Sequence, residues 1–215
     1  MKSAPNSDKL IFIMVINWYG EGCFKIQSGG LTLSIDPFQN SSGLNPPRFK
    51  ADITLKTLSR LPIEYENSAA SVIAGSGEYE ISNIEISGFS SEAAGDSLKT
   101  AYLVKTPEDL TLGFLGHLSQ NPKPELLENL RAVDILFIPA GGSPYLSQEA
   151  AAKLVRQINP KIAVASFFKI PGLASKVSDA KEFLKELGQK AEPEESLTVK
   201  KKDLPAVFKV VLLKA

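Results

Sequence analysis

The sequence predicts an α/β domain organised around two β-sheets, and three observations carry that expectation. The first half is a series of short apolar segments separated by turn residues at hairpin spacing. Residues 134–172 then read as strand, glycine turn, helix, strand, which is a βαβ unit. No internal repeat, low-complexity segment or linker divides the chain, and 215 residues at 43% apolar content suffice for one substantial core.

Taken in order, residues 1–9 are polar, contain Pro5 and read as disordered. Residues 10–16 are apolar behind Lys9, as in a signal peptide. The run is only seven residues and no small-residue cleavage site follows, and it is too short to span a membrane. A first strand running to Trp18 is the expectation, with Met14 as an alternative start. The chain therefore divides into an extension, 1–13, and a single domain, 14–215.

Phe24 and Ile26 alternate before Ser28-Gly29-Gly30, and Leu31, Leu33 and Ile35 alternate after it, which predicts a hairpin. Asp36-Pro37 ends that strand. A polar loop leads to a short strand at 53–55. Ile81 and Ile84 flank a Ser82-Asn83 turn, and Tyr102 and Val104 face Leu112 and Phe114 across residues 106–109. Pro124 opens a helix that places Leu126, Leu127 and Leu130 on one face.

In the βαβ unit, the apolar run 135–138 is short enough for a strand covered on both faces. Pro139 and Gly141-Gly142 turn the chain. A helix starts near Ser147, carries Ala150, Ala151, Leu154, Val155 and Ile158 on one stripe, and closes at Asn159-Pro160. Residues 162–166 form the next strand. A further helix is expected from about Ser178 to Gly188, and a last strand over 208–213. Both strands of the unit end on one sheet edge, where α/β folds gather ligands and catalytic groups.

Composition excludes several functions. Twenty-four basic and twenty-four acidic residues cancel, so no charge excess argues for nucleic acid or a membrane surface as partner. One cysteine precludes an intrachain disulfide and, with no signal, points to the cytoplasm. The single histidine, His117, precludes any site needing three imidazoles from one chain.

The succession Trp18-Tyr19-Gly20-Glu21-Gly22-Cys23-Phe24, Ile35-Asp36-Pro37-Phe38, Gly43-Leu44-Asn45-Pro46-Pro47 and Ala51-Asp52-Ile53 resembles the metallo-β-lactamase fold. Within it, the chain is similar to the zinc-dependent hydrolase branch of L-ascorbate-6-phosphate lactonase. The resemblance continues through residues 75–80, Leu115-Gly116 and 134–172, and covers nearly everything from Met14 onward. It implies a four-layer αββα sandwich of two mixed sheets flanked by helices. It also implies an H-x-H-x-D-H metal motif after the Ala-Asp-Ile strand, but Leu58, Arg60, Pro62 and Ile63 occupy those positions here. None of the four can coordinate zinc, which takes imidazole, thiolate or carboxylate donors. The family's bridging aspartate falls on His117, and its last histidine on Phe167. The resemblance thus implies a scaffold whose metal site is vacated, with no cofactor. Homo-oligomerisation, or pairing with an active paralogue, is a further implication.

The remaining candidates each have a plain structural reading beside the functional one. Arg60 and Lys169 could hold an anion or be surface cations. His117 could act as acid or base or be a hydrogen-bonded structural residue. Asp36 could serve the site or satisfy backbone amides at the Pro37 turn. Cys23 could be a nucleophile or a small buried hydrophobe. Glu78 and Glu80 read as exposed, and Lys200-Lys201-Lys202 as a solvated turn. Three functions follow: a non-catalytic binding or assembly module with Leu58, Ile63 and Phe167 filling the vacated cavity; a metal-free hydrolase of esters, lactones or phosphodiesters around His117 with Asp36 or Cys23; and a weak metal site built from His117, Asp36 and nearby glutamates.

Overall fold

The computed structural model describes residues 13–39, 42–63 and 70–215. Residues 1–12, where the expected first strand would begin, lie outside them. In chain order the strands are β1 (Met14–Trp18), β2 (Phe24–Ser28), β3 (Leu31–Ile35), β4 (Ile53–Lys56), β5 (Leu58–Arg60), β6 (Ser71–Ala74), β7 (Gly77–Ile81), β8 (Ile84–Ala94), β9 (Ser97–Lys105) and β10 (Thr111–Phe114). Helix α1 (Pro124–Leu130), β11 (Ile135–Pro139), α2 (Gln148–Ile158), β12 (Ile162–Ser166), α3 (Lys181–Glu186), β13 (Leu197–Val199) and β14 (Lys209–Val211) complete the series.

Two mixed sheets result. One runs β13-β1-β2-β3-β4-β6, and the other β14-β12-β11-β10-β9-β8-β7, with β5 added on β9. β3, β4 and β6 are parallel neighbours, as are β10, β11, β12 and β14. This is the sandwich expected from the sequence. Its α-helices, all in the second half, alternate with strands β10 to β13. Among the described residues no helix is long and apolar enough to cross a membrane.

Local sequence explains most elements. β1 buries Met14, Ile16 and Trp18 and leaves Val15 and Asn17 half-covered, the period-2 pattern of a one-sided strand. The β7–β8 hairpin turns on Ser82 and Asn83, both at positive φ (51° and 63°), as its two-residue turn requires. On α2, Ser147 caps the start by accepting from the Ala150 N–H at 3.1 Å, and Asn159 closes the end in the left-handed region.

The core runs without a break between the sheets. Phe137 stacks on Phe114 at 4.4 Å and meets Phe24 edge-on at 4.7 Å, while Trp18 stacks on Phe168 at 4.6 Å. Tyr102, on β9, points its hydroxyl at the carbonyls of Lys56, Ile73 and Gly75 at 3.2, 3.4 and 3.2 Å. One O–H shared among three acceptors ties the second sheet to the ends of β4 and β6. Gly88 makes that approach possible, because a Cβ there would lie 2.6 Å from the Gly75 carbonyl and 2.9 Å from the Tyr102 ring.

Three elements differ from expectation. Helix α3 begins at Lys181 rather than near Ser178, because Ser178 spends its backbone groups on Gly141 and Lys169 (2.8 and 2.9 Å). The last strand is shorter, at Lys209–Val211, with a lone bridge from Glu194 to Leu213. Residues 58–60, read as loop, form β5.

Candidate functional site

Four strand ends and one turn converge at a single edge between the sheets. Asp36 follows β3, Thr57 follows β4, His117 follows β10 and Phe167 follows β12, while Glu21 and Gly22 sit in the turn after β1. Asp36 takes a positive φ of 42°, a region that aspartate tolerates better than most residues, and donates its N–H to Leu55 at 2.9 Å. That turn aims its carboxylate at Thr57. The Thr57 N–H donates to Oδ1 at 2.6 Å and its hydroxyl to Oδ2 at 2.5 Å. Gly116, at φ 50°, lets the chain cross over Thr57, since a Cβ there would stand 2.1 Å from the threonine Oγ1. The crossing delivers His117, whose Nδ1 lies 2.8 Å from Thr57 Oγ1 and 3.7 Å from Asp36 Oδ2.

Proton bookkeeping fixes the roles. An ionised carboxylate only accepts, so the Thr57 hydroxyl proton goes to Asp36. The oxygen then accepts from His117 Nδ1–H, and Nε2 is left with its lone pair and no hydrogen bond among the described residues. Burial lowers the His117 pKa, Lys99 lowers it further, and Asp36 opposes both. Burial raises the Asp36 pKa against the pull of His117 and Thr57. Glu21 is raised by burial and by Asp36, though Ser175 pulls it down, and the Tyr145 hydroxyl is pushed up to about 12 by burial and by both carboxylates. Burial thus favours the uncharged forms of Asp36, Glu21 and His117 alike.

Phe167 closes it. It is buried, holds φ 50° and donates its N–H to the Glu21 carbonyl at 2.9 Å. Its ring lies 4.8 Å from the His117 ring and 4.4 Å from that of Tyr145. Gly22 makes room for it, as a Cβ there would be 2.3 Å from Phe167 Cζ. The cavity beneath, lined by Asp36, Gly116, Ser166 and Phe167 among others, measures about 10 Å³, one water at most. Burying the ring contributes about 1.5–3 kcal/mol, and the left-handed backbone costs about 1–2 kcal/mol. Burial wins by a small margin.

The expected filling by Leu58 does not occur. β5 pairs with β9, Leu58 opposite Lys99 and Arg60 opposite Ser97, and this turns Leu58 outward to 41% exposure. Arg60 and Pro62 are exposed and Ile63 is half-buried beside Gly75. Arg60 lines a cleft of about 390 Å³ with Lys56, Ser59 and Asp96, apart from Asp36 and His117. Lys169 is exposed, with its N–H given to the Ser178 carbonyl. Cys23 is buried, its thiol pushed up to about 12 by burial and by Asp36, which leaves it a poor nucleophile. Glu78 and Glu80 are exposed on β7, and Lys201 in the basic run pairs with Asp134 at 2.8 Å.

Two positioning residues were not singled out from sequence. Thr57 joins Asp36 to His117. Glu92 accepts from Lys99 Nζ (2.7 Å), Ser119 N–H and Oγ–H (2.7 and 2.6 Å) and Gln120 N–H (2.8 Å), and so pins the loop that carries His117. Burial would raise the Glu92 pKa, but these donors outweigh it and hold it low. Neither residue has a sequence signal, because the partners of Thr57 lie 21 and 60 positions away and those of Glu92 lie 7 to 28 positions away, none at a motif spacing.

These residues do not fit a metal centre. Both Asp36 oxygens and His117 Nδ1 are already engaged by Thr57, and the Phe167 ring stands beside them. Among the described residues no three histidines, cysteines, aspartates or glutamates group as metal ligands. The next residue along, Phe168, lines a much larger apolar cleft of about 670 Å³ with Tyr19, Leu44, Ile170, Pro193 and Leu213.

Comparison with known proteins gives consistent results. A family model described as a β-lactamase superfamily domain matches residues 15–166. A UPF0173 protein of Pyrococcus abyssi is 28% identical, over 70% of this chain and 81% of its own, and one of Pyrococcus furiosus is 27% identical, over 81% and 90%. Among solved structures, a protein of Thermotoga maritima described as a Zn-dependent hydrolase of the metallo-β-lactamase superfamily has a TM-score of 0.75 at 21% identity, covering 93% of this chain and 98% of that one. A metallo hydrolase of Ignicoccus hospitalis has a TM-score of 0.65 at 15% identity, over 87% and 99%. At these identities the structural likeness is one of fold.

Proposed function

The chain belongs to the metallo-β-lactamase superfamily, and from that premise we propose that it is a degenerate, metal-free member that serves as a binding or assembly module. One observation carries the reading: Phe167 closes the edge where a metal-bound water would act, leaving about 10 Å³. In zinc hydrolases the metal lowers the pKa of bound water from about 15.7 to about 7 and so supplies the nucleophile. The donor set here offers no such centre. The apolar cleft beyond Phe168 is of the size that small ligands occupy. Within the superfamily, the motif order favours the L-ascorbate-6-phosphate lactonase-like branch. A second copy of the chain, or an active paralogue, is the partner proposed, with no role for nucleic acid or membrane.

Elemental mass spectrometry on untagged protein purified without chelators tests this. The expected content is below about a tenth of an equivalent of zinc, iron or manganese per chain. Near one equivalent would overturn the metal-free reading.

A second reading has its own observation. The Asp36–Thr57–His117 chain of hydrogen bonds orients an imidazole with a free Nε2, the arrangement by which metal-independent hydrolases prepare a nucleophile or base. It makes the chain a hydrolase of esters, lactones or phosphodiesters, and an activity that survives chelation and disappears in His117→Ala would support it.

A further inference from the structure

We infer that His117 Nε2 is a metal-independent nucleophile toward uncharged, activated acyl groups, with Thr57 and Asp36 as its positioning residues. This rests on the second reading above and narrows its substrate class.

The geometry supplies the orientation. Thr57 is anchored twice on Asp36, through its N–H (2.6 Å) and its hydroxyl (2.5 Å), so its oxygen is fixed as the acceptor for His117 Nδ1–H at 2.8 Å. The ring is further held edge-on against the contacting pair Phe167 (4.8 Å) and Tyr145 (5.9 Å). A base oriented by a third group is the signature of an activated nucleophile.

Charge selects the substrate. Asp36 and Glu21 bring no positive charge to the ring, and Lys99, the cation whose charge reaches it, is committed to Glu92 (2.7 Å) and Ser119 (2.6 Å). Lys99 is thus not free to pair with a phosphate or a carboxylate, whereas a neutral ester or lactone carbonyl needs no cation. The 10 Å³ beneath the ring has no room for it, whereas 21% of the His117 side chain remains open to solvent. The acyl donor therefore approaches from the solvent-exposed part of the ring.

The step balances without a co-reactant other than water. The Nε2 lone pair attacks the carbonyl carbon, and the alkoxide or phenolate leaves with the bonding electron pair. The Nδ1 proton passes to Thr57 Oγ1 as the threonine proton passes to Asp36. Water then attacks the acyl-imidazole, and its hydroxyl goes to the carboxylic acid. Its other proton goes through solvent to the departed alkoxide or phenolate, and Nε2 regains its lone pair as the relay proton returns from Asp36 through Thr57 to Nδ1.

Because the chain has a single histidine, every imidazole signal belongs to His117. Long-range proton–nitrogen spectra of the ¹⁵N-labelled full chain read the tautomer directly, with Nδ1–H expected. p-Nitrophenyl acetate, a neutral ester, should leave an acetyl group on His117 in rapid-quench mass spectrometry, while p-nitrophenyl phosphate should give no release. His117→Gln should cut acetate release above the spontaneous rate by about a hundredfold or more, the low end for a positioned acid–base group. Thr57→Val should lower it comparably and change the tautomer, and Thr57→Ser should restore both. Release unchanged in His117→Gln overturns both this inference and the hydrolase reading. Release that needs His117 but leaves no acetyl adduct overturns the nucleophile and leaves the hydrolase reading standing. An Nε2–H tautomer in the free protein overturns the relay itself.

Discussion

The residues that the family resemblance sets against metal positions fall into two regions with opposite surroundings. At His117 and Phe167 the side chains have become part of the interior, hydrogen-bonded to Thr57 in one case and packed over Gly22 in the other. Residues 58–60 instead pair with β9, and Leu58 and Leu61 turn outward, at 41% and 44% exposure, while Ile63 is half-buried. The difference is one of backbone constraint. His117 and Phe167 hang from the ends of β10 and β12, central strands paired on both sides, so their direction is fixed and only their chemistry can change. Residues 58–60 could exchange loop for strand, and a strand has two faces. Backbone pairing, not polarity, decided which side chains remained in the site.

The largest expected effect probes the closed region. Phe167→Ala should destabilise by about 3–5 kcal/mol in denaturant unfolding, the usual loss for a buried aromatic. Phe167→Gly should lose less than the alanine variant, because glycine accepts φ 50° without strain. A loss under about 1 kcal/mol for both would mean that the ring is no plug.

Next is Thr57→Val, which leaves the Asp36 carboxylate without its hydroxyl donor. A buried, unsatisfied acceptor costs about 1–3 kcal/mol, so urea midpoints should fall for valine and hold for Thr57→Ser.

A pH series separates the two titrating partners. The folded His117 pKa lies below its unfolded value, so its contribution is fully present above about 6.5 and is lost as pH falls through the window down to the folded value. Asp36 has the opposite sign: its folded pKa is raised, so its contribution is present below about 3.9 and is lost as pH rises through the folded value. His117→Gln should flatten the loss of stability below pH 6.5, and Asp36→Asn should remove the opposing slope. An unchanged acid limb in His117→Gln would place the titration elsewhere.

The smallest effect belongs to the open region. Leu58→His and Arg60→His should each change stability by no more than about 0.5 kcal/mol, since both side chains are exposed. A loss above about 2 kcal/mol would mean that β5 is pinned by those side chains and not by its pairing with β9.

Much of the fold was legible. Alternation at Phe24, Ile26, Leu31 and Leu33 marked the β2–β3 hairpin, Ser82-Asn83 marked the β7–β8 turn, and Ser147 and Asn159 bounded α2, because each depends on a few neighbouring residues. The candidate site was legible in part. His117 and Asp36 stood out by rarity and position, and Phe167 by its place after β12. Thr57 did not, because its importance lies in facing Asp36 and His117, 21 and 60 residues away. Leu58 was misplaced because an apolar residue says only that it prefers burial, not that its backbone will offer it.

The sequence by itself determined most strands, the turns, the capped helix and the shortage of imidazole donors, since a lone histidine needs no partner to be read. The tertiary structure decided which residues of the candidate site face inward, which partners His117 meets and how little space Phe167 leaves. Those follow from distances between strand ends, which are set by sheet pairing across the whole chain and not by any local stretch of it.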